Sequence, residues 1–326
     1  MSYHFFYESG KKSKMHKSKV ALSFFLLIYT VAFAQILTAQ AVEAPVCVIV
    51  KSRDIEPFEK ARHGFEAAFR EQRPDAKFLV RSLEGKKDQE VLGLFNEILG
   101  QHPTLVLAIG SSAALAAREH IRTAPVLFTM VIDPERSGLA PPGVEIKVPK
   151  VETLRVLHRL LPSATRIGVI YSSESESHWK ELREQASSEG FQAVGSKIDN
   201  GEKLPTLFED IASQIDVFLM LADAKLFAPK TVERLLLASI KHRVPVVGLS
   251  SSYTKAGALI SLEYNHEDSG RTAVAMALSI LQGVAPDTLG YVHPSRIQYS
   301  LNAEVAQQMK IRIPEDVLKN ASEVFG

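Results

Sequence analysis

From Val46 onward, short β-branched or apolar runs alternate with segments of helical period. That alternation constrains the fold strongly. A parallel strand buried on both faces is apolar throughout, and each parallel connection needs a crossover helix. Candidate strands are Val46 to Val50, Phe78 to Arg81, Leu105 to Ile109 and Val126 to Val131, then Arg166 to Tyr171, Gln192 to Ile198, Val217 to Leu221 and Val244 to Leu249. They form two sets of four. Between them run amphipathic stretches such as Phe58, Ala61, Phe65, Ala68 and Phe69, whose spacing puts them on one helix face as core surface. The turn-rich stretch from Asp133 to Gly143 separates the sets. Beyond Leu249 the pattern continues as a strand at Ala258 to Leu262, a helix at Glu267 to Gln282 and a strand at Gln298 to Leu301. Such a tail can return the chain to the first set and then to the second. The expected division is therefore 42–149 with 259–283 for one lobe and 150–258 with 284–326 for the other, which 326 residues accommodate.

Residues 1–41 read as a signal peptide. Lys11, Lys12, Lys14, Lys17 and Lys19 precede an uncharged apolar run from Val20 to Ala34, followed by Ala39-Gln40-Ala41. An uncleaved anchor would have to extend to Leu37 and include Ser23, Thr30 and Gln35, whereas a spanning helix wants about 20 predominantly apolar residues. Cleavage after Ala41 is expected, with Ala34 as the alternative, and Met15 would make a more ordinary start than Met1. No cysteine marks a lipid anchor, so the exported chain is expected free in a bacterial periplasm. Losing five lysines and Glu8 turns the formal charge from +1 to −3, leaving a mildly acidic chain with no basic field for nucleic acid. The single cysteine, Cys47, excludes an intramolecular disulfide and a zinc site built on Cys pairs.

Enzyme signatures are lacking. No G-x-G-x-x-G follows a strand and no G-x-x-x-x-G-K-[ST] occurs, so neither dinucleotide nor nucleotide-phosphate binding is supported. Gly248-Leu249-Ser250-Ser251-Ser252 follows a strand as a nucleophile elbow would, but has serine where the second glycine is needed. The ten histidines are scattered, with no H-E-x-x-H, and each reads as surface or capping. No cofactor and no metal are expected.

Polar residues cluster at the C-terminal ends of the candidate strands, where an open parallel sheet binds ligands. These are Ser52, Arg53 and Asp54; Ser111 and Ser112; Asp133; Ser172 and Ser173; Asp223; and Ser250 through Tyr253. Ser111 and Ser112 precede an alanine-rich helix former, so their hydroxyls and the free helix amides could hold a carboxylate or simply cap the helix. Asp223 could meet a ligand amine or cap a turn. Arg53 and Asp54 could serve the site or pair with each other on the surface, an arrangement worth little. Asp133 before Pro134 is also a turn former, Tyr253 a lid aromatic or hinge packing, and Trp179 a packing residue.

An ordered set of short motifs resembles the ABC-transporter substrate-binding family related to tryptophan/tyrosine-type binders. The set comprises Thr231-Val232-Glu233-Arg234-Leu235-Leu236, Arg243 to Ser250, Tyr253, Ala256-Gly257-Ala258-Leu259 and Gly270-Arg271. Ser52 to Phe58, Leu160-Leu161-Pro162 before Arg166 to Tyr171, Asn302 and Ile313-Pro314 support it. The resemblance implies an α/β type I periplasmic binding protein, with two Rossmann-like lobes carrying parallel sheets and joined by a three-crossing hinge. It implies a cleft lined by Ser52, Ser111, Ser112, Asp133, Ser172, Asp223 and Tyr253; Arg53, Ser173 and Ser250 join them from the strand-end pattern. The chain departs from the family at Val144 to Pro149, where many members carry Asn-x-Thr-Gly, and at Ser172-Ser173, where Asn-Pro is common. The available charges suit a small zwitterion or polar metabolite.

The expected function is a periplasmic, monomeric solute receptor that captures a small amino-acid-like metabolite and delivers it to an ABC import permease, with no enzymatic step. The alternatives are a ligand-sensing partner of a membrane sensor protein and a serine hydrolase using Ser250 or Ser251.

Overall fold

The computed structural model describes residues 44–326; the signal peptide, its cleavage site and the start position lie outside the described residues. The first sheet is built from β1 (Val46–Lys51), β2 (Lys77–Ser82), β3 (Leu105–Ile109), β4 (Val126–Val131) and β5 (Gly143–Glu145). Helices α1 (Glu56–Gln72), α2 (Asp88–Gly100) and α3 (Ser111–His120) connect its first four strands. All pairings are parallel, in the order β5-β4-β3-β1-β2. The continuous apolar runs follow from burial on both faces. Cys47 and Ile49 share one core with Leu105, Leu107 and Ile109, while Val48 and Val50 enter the opposite core with Val106 and Ala108. In the core it shares with Ile49, burial pushes the Cys47 thiol up to about 12, so it is inert.

The second sheet repeats the plan. Helix α4 (Lys150–Leu160) leads into β6 (Arg166–Tyr171), α5 (Glu176–Ser188), β7 (Gln192–Lys197), α6 (Leu204–Ile211), β8 (Val217–Leu219), α7 (Pro229–His242), β9 (Val246–Gly248) and α8 (Ser251–Ala256). The chain then adds β10 (Ile260–Tyr264), α9 (His266–Leu281), β11 (Tyr291–Val292), β12 (Ile297–Asn302) and, after two short helices, β13 (Glu323–Phe325). The second sheet runs β13-β12-β10-β9-β8-β6-β7, with β10 and β12 antiparallel and every other pair parallel.

The tail corrects the lobe division expected from sequence. The sequence pattern places residues 259–283 in the first lobe, but β10 hydrogen-bonds to β9 with Ile260 opposite Val247, and to β12, so it belongs to the second sheet. Only α9 returns to the first lobe. Likewise 284–326 does not lie wholly in the second lobe, because β11 extends the first sheet alongside β5. The physical reason for the return of α9 is its fit against α1. A Cβ on Gly270 would fall 1.8 Å from Ala61 O, and one on Gly64 would fall 2.1 Å from Glu267 O, so two glycines let the helix backbones touch.

Three crossings therefore join the lobes, at Ile146 to Pro149, at Asn265 and at His293 to Arg296. They are fastened to one another. Asp268 Oδ2 accepts from the Ser295 amide (2.8 Å), the Ser295 hydroxyl (3.0 Å) and the Arg296 amide (3.1 Å). Asn265 caps α9 through the Asp268 amide and donates its own amide to Arg296 O. His293 Nδ1 lies 3.2 Å from Glu145 O, which ties the third crossing to the first.

Candidate ligand-binding cleft

Between the lobes lies a cavity of about 1020 Å³, at the upper end of small-molecule sites (roughly 300 to 1,000 Å³). Its walls are the C-terminal strand ends of both sheets. On the first lobe, β1 ends in Lys51, whose buried ammonium bonds Asp54 at 2.6 Å and also Glu59. Burial pushes that ammonium down, but the two carboxylates outweigh it and hold it above its ordinary value. Asp54 is therefore engaged by Lys51, and Arg53, exposed and lining the cleft, has no ion-pair partner among the described residues. The surface Arg53–Asp54 pair considered from sequence does not form.

Gly110 caps α3, with φ of +89°. A Cβ there would meet Ser52 Oγ at 2.7 Å and the Phe58 ring at 2.8 Å, so only glycine fits. Ser52 Oγ in turn accepts the Ala113 amide at 2.9 Å, capping α3 from the neighbouring strand. Ser111 and Ser112 are consequently relieved of the capping role open to them from sequence. They are exposed at the first turn, line the cleft, and their amides have no intrahelical acceptor. At the end of β4 the chain is unusual: Met130 takes φ of +60° where the pairing with β5 shifts register, and Met130 itself lines the cavity. A non-glycine residue in that region carries strain, which collects at functional sites.

Asp133 reaches across to the other lobe. Its Oδ2 lies 3.0 Å from His178 Nε2, on α5, and its Oδ1 accepts the Arg136 amide. Burial pushes the carboxyl up, but His178 and that amide prevail and keep it below the usual range. His178 is only 5% exposed; burial pushes its imidazole down, against the pull of Asp133. Its Nδ1 receives no hydrogen bond from any described residue. Arg136 and Ser177 add a second interlobe hydrogen bond at 3.3 Å.

On the second lobe, Asp223 is committed to the protein itself. Oδ2 accepts from the Ser172 hydroxyl (2.6 Å), the Ser175 hydroxyl (2.6 Å) and the Ser172 amide (3.2 Å), and Oδ1 from the Lys225 and Leu226 amides. Burial acts against ionisation, yet the serine hydroxyls hold the carboxyl below its ordinary range. Asp223 thus clamps the end of β6 to the loop after β8. Its place in the cleft wall is as sequence implied, but its acceptor capacity is taken up inside. Ser172 is fully buried behind it, and Ser173 bonds Asp199 at 3.5 Å; neither lines the cavity. Ser250, at the turn from β9, and Tyr253, inside α8, do line it. Trp179 stacks on Tyr171 at 5.4 Å, a packing role.

Ionisable residues of the cleft that the sequence pattern does not point to include Lys150, Glu263 and His266. Lys150, at the start of α4, has no ion-pair partner among the described residues, and burial pushes its ammonium down to about 8. Glu263, in β10, accepts the Ser251 amide at 3.3 Å, while His266 stands at the head of α9 with Nε2 3.3 Å from Glu263 Oε2. Burial pushes the Glu263 carboxyl up, but His266 and the Ser251 contact hold it below the usual range. No described hydrogen bond joins the hydroxyl of Ser250 or Ser251 to an imidazole, and among the described residues no group of three His, Cys, Asp or Glu is arranged to hold a metal. No described helix is long and apolar enough to cross a membrane.

Two mostly parallel lobes, three crossings and a polar interlobe cavity define an α/β binding protein of the periplasmic type. The family model for "ABC transporter substrate binding protein" matches residues 34–325, and the chain belongs to that family. It is 23% identical over 191 residues to a tyrosine-binding protein of Clostridioides difficile, a match spanning 55% of each chain, so it covers about half of that relative. Among solved structures it is similar to a ligand-free, open substrate-binding protein with adhesive properties from Clostridium difficile (TM-score 0.74, 20% identity, 86% of this chain and 99% of that one). A second is an ABC domain in complex with L-Trp from Streptococcus pneumonia (TM-score 0.66, 19% identity, 86% and 100%). Those structures establish the type I periplasmic binding fold expected from the sequence.

Proposed function

We propose that this chain is an exported, monomeric periplasmic solute receptor that encloses a small polar, amino-acid-like metabolite between its lobes and delivers it to an ABC import permease. The observation that carries this reading is the convergence of polar strand ends from both sheets on one cavity, with three crossings able to act as a hinge. Ligand that contacts both walls favours the closed form by its differential affinity, and the closed form is what a permease can distinguish. The chain acts by binding and not by catalysis; its nearest nucleophile candidates, Ser250 and Ser251, have no base bonded to them among the described residues.

Thermal melts of the purified protein against amino acids, organic acids and nucleosides test this reading, with native mass spectrometry for a co-purified metabolite. At least one compound is expected to raise the melting temperature and to bind one per monomer. No stabilisation by any compound and no bound metabolite would sink it.

A further inference from the structure

The acids that line the interlobe cavity are answered within the protein, and three of its cations are not. Asp133 is held by His178 and the Arg136 amide, and Glu174 by Lys225 at 3.1 Å. Asp223 has its five internal donors, and Glu263 has the Ser251 amide with His266 beside it. Lys147 is paired with Glu181 at 2.8 Å. Arg53, Arg136 and Lys150 line the same cavity without a carboxylate partner among the described residues, although Arg136 gives one N–H to Ser177. Burial pushes the Lys150 ammonium down to about 8; Glu181 pulls the other way, but Lys147 holds that carboxylate and repels Lys150 with its own charge. An unpaired buried charge destabilises the ligand-free fold, and such groups persist where function uses them.

His178 belongs to the same wall. Helices α4 and α5 pack together, and the charges that bear on the His178 ring are those of Asp133, Lys147 and Lys150. Asp133 holds Nε2, while the buried Nδ1 has no hydrogen-bond partner among the described residues. An anion that reaches both Lys150 and Nδ1 completes both groups. Lys150 gains its counter-charge, and His178 takes up a proton, with Asp133 on one side of the imidazolium and the anion on the other.

Resting on the receptor reading above, we infer that Lys150 and His178 Nδ1 form an anion subsite on the second-lobe wall, and that the ligand is a small dianion spanning the cleft from this subsite to Arg53 on the first lobe. Dicarboxylic acids and phosphorylated acids share that chemistry, with or without an amino group. A ligand with a single carboxylate leaves either Lys150 or Arg53 unpaired and is held more weakly.

The test is isothermal titration of the purified protein at neutral pH with paired compounds: succinate, glutarate and adipate against their monoamides, L-glutamate against L-glutamine, and O-phospho-L-serine against L-serine. At least one dianion is expected to bind about 10- to 100-fold tighter than its less charged partner, the range a hydrogen bond to a charged group supplies. The pair that shows the preference tells carboxylate from phosphate. Lys150→Met is expected to erase it and Lys150→Arg to keep part of it; because the charge destabilises the ligand-free fold, Lys150→Met should fold at least as well as the wild type. His178→Gln still donates to Asp133 but cannot become cationic, and should reduce the preference. Proton linkage gives an independent readout. An anion beside Lys150 raises its pKa from about 8, so binding near that pH should take up protons, seen as different heats in Hepes and Tris, and Lys150→Met should lower that uptake. Equal binding of the paired compounds, tighter binding of a zwitterionic or uncharged compound, or a preference untouched by Lys150→Met overturns the inference and leaves the receptor reading standing. Binding of none of these compounds, nor of any in the thermal-melt set, overturns both.

Discussion

Replacing Asp223 separates two roles that the same residue could play, clamp or ligand contact. It is 6% exposed and its two oxygens accept five hydrogen bonds, three from backbone amides of Ser172, Lys225 and Leu226 that cannot turn away. In Asp223→Asn one oxygen becomes an NH2. Facing Lys225 and Leu226 it would oppose two amides; facing Ser172 and Ser175 it opposes one amide, while both hydroxyls can rotate to accept. The second orientation wins: the opposed Ser172 amide keeps the Ser175 hydroxyl oxygen at 3.2 Å, and the loss is that of one hydrogen bond to a charged group, about 1.5 to 3 kcal/mol. Asp223→Ala strands the Lys225 and Leu226 amides and should cost about 2 to 5 kcal/mol, a large share of the roughly 5 to 15 kcal/mol that holds a domain together. Urea unfolding followed by circular dichroism reads both values from the midpoint at unchanged slope. The folded-state pKa of Asp223 is depressed, so its stabilisation is present above the unfolded value near 3.9 and is lost as pH falls through the lower folded value. The wild-type advantage over Asp223→Asn should accordingly vanish in strong acid. Unchanged stability in Asp223→Asn, with abolished ligand binding, would refute the clamp and restore Asp223 as a ligand contact.

Other consequences are equally concrete. Lys150→Met should raise the melting temperature of the ligand-free protein at neutral pH by an amount equivalent to about 1 to 3 kcal/mol, since a lysine held near 8 destabilises the fold wherever it is charged. The sign follows from the depressed value: wild-type stability should climb between about pH 8 and 10.5 as the unfolded chain keeps the proton and the folded one releases it, and Lys150→Met should remove that climb. Gly110→Ala should cost about 1 to 3 kcal/mol through a backbone region reserved for glycine, and should shift α3 away from Ser52, as thermal melts and amide exchange at Ala113 would register. Gly270→Ala should force α9 off α1, costing at least the roughly 1 to 3 kcal/mol of an overpacked core; limited proteolysis should cut near residues 265–293 faster than in the wild type.

Much of the fold was legible because its strands announce themselves. β1, β3, β4 and β6 are predominantly apolar runs buried on both faces, and their bounds fall within a residue of those expected. What escaped were β5, β11 and β13, two or three residues each, too short to carry a period and defined only by the partner they meet. The lobe assignment of β10 failed for the same reason: an amphipathic strand does not say which sheet it joins. In the cleft, the rule that ligands gather at strand C-termini pointed to Ser52, Arg53, Ser111, Ser112, Asp133, Asp223, Ser250 and Tyr253, all of which line the cavity. Ser172 was misread because its partner, Asp223, lies 51 residues away, and Ser173 because the turn directs it elsewhere. Glu263 and Lys150 did leave a signal, a charged residue inside or beside an otherwise apolar element. His178 left little, since its meaning depends on Asp133 arriving from the other lobe.

The measurement closest to the central claim is a crystal structure of the protein grown after incubation with a pooled set of free amino acids. The account predicts density for one small molecule in the interlobe cavity, in contact with polar strand ends of both lobes. A cavity holding only solvent, with density for the bound compound on an outer face of either lobe, would contradict it.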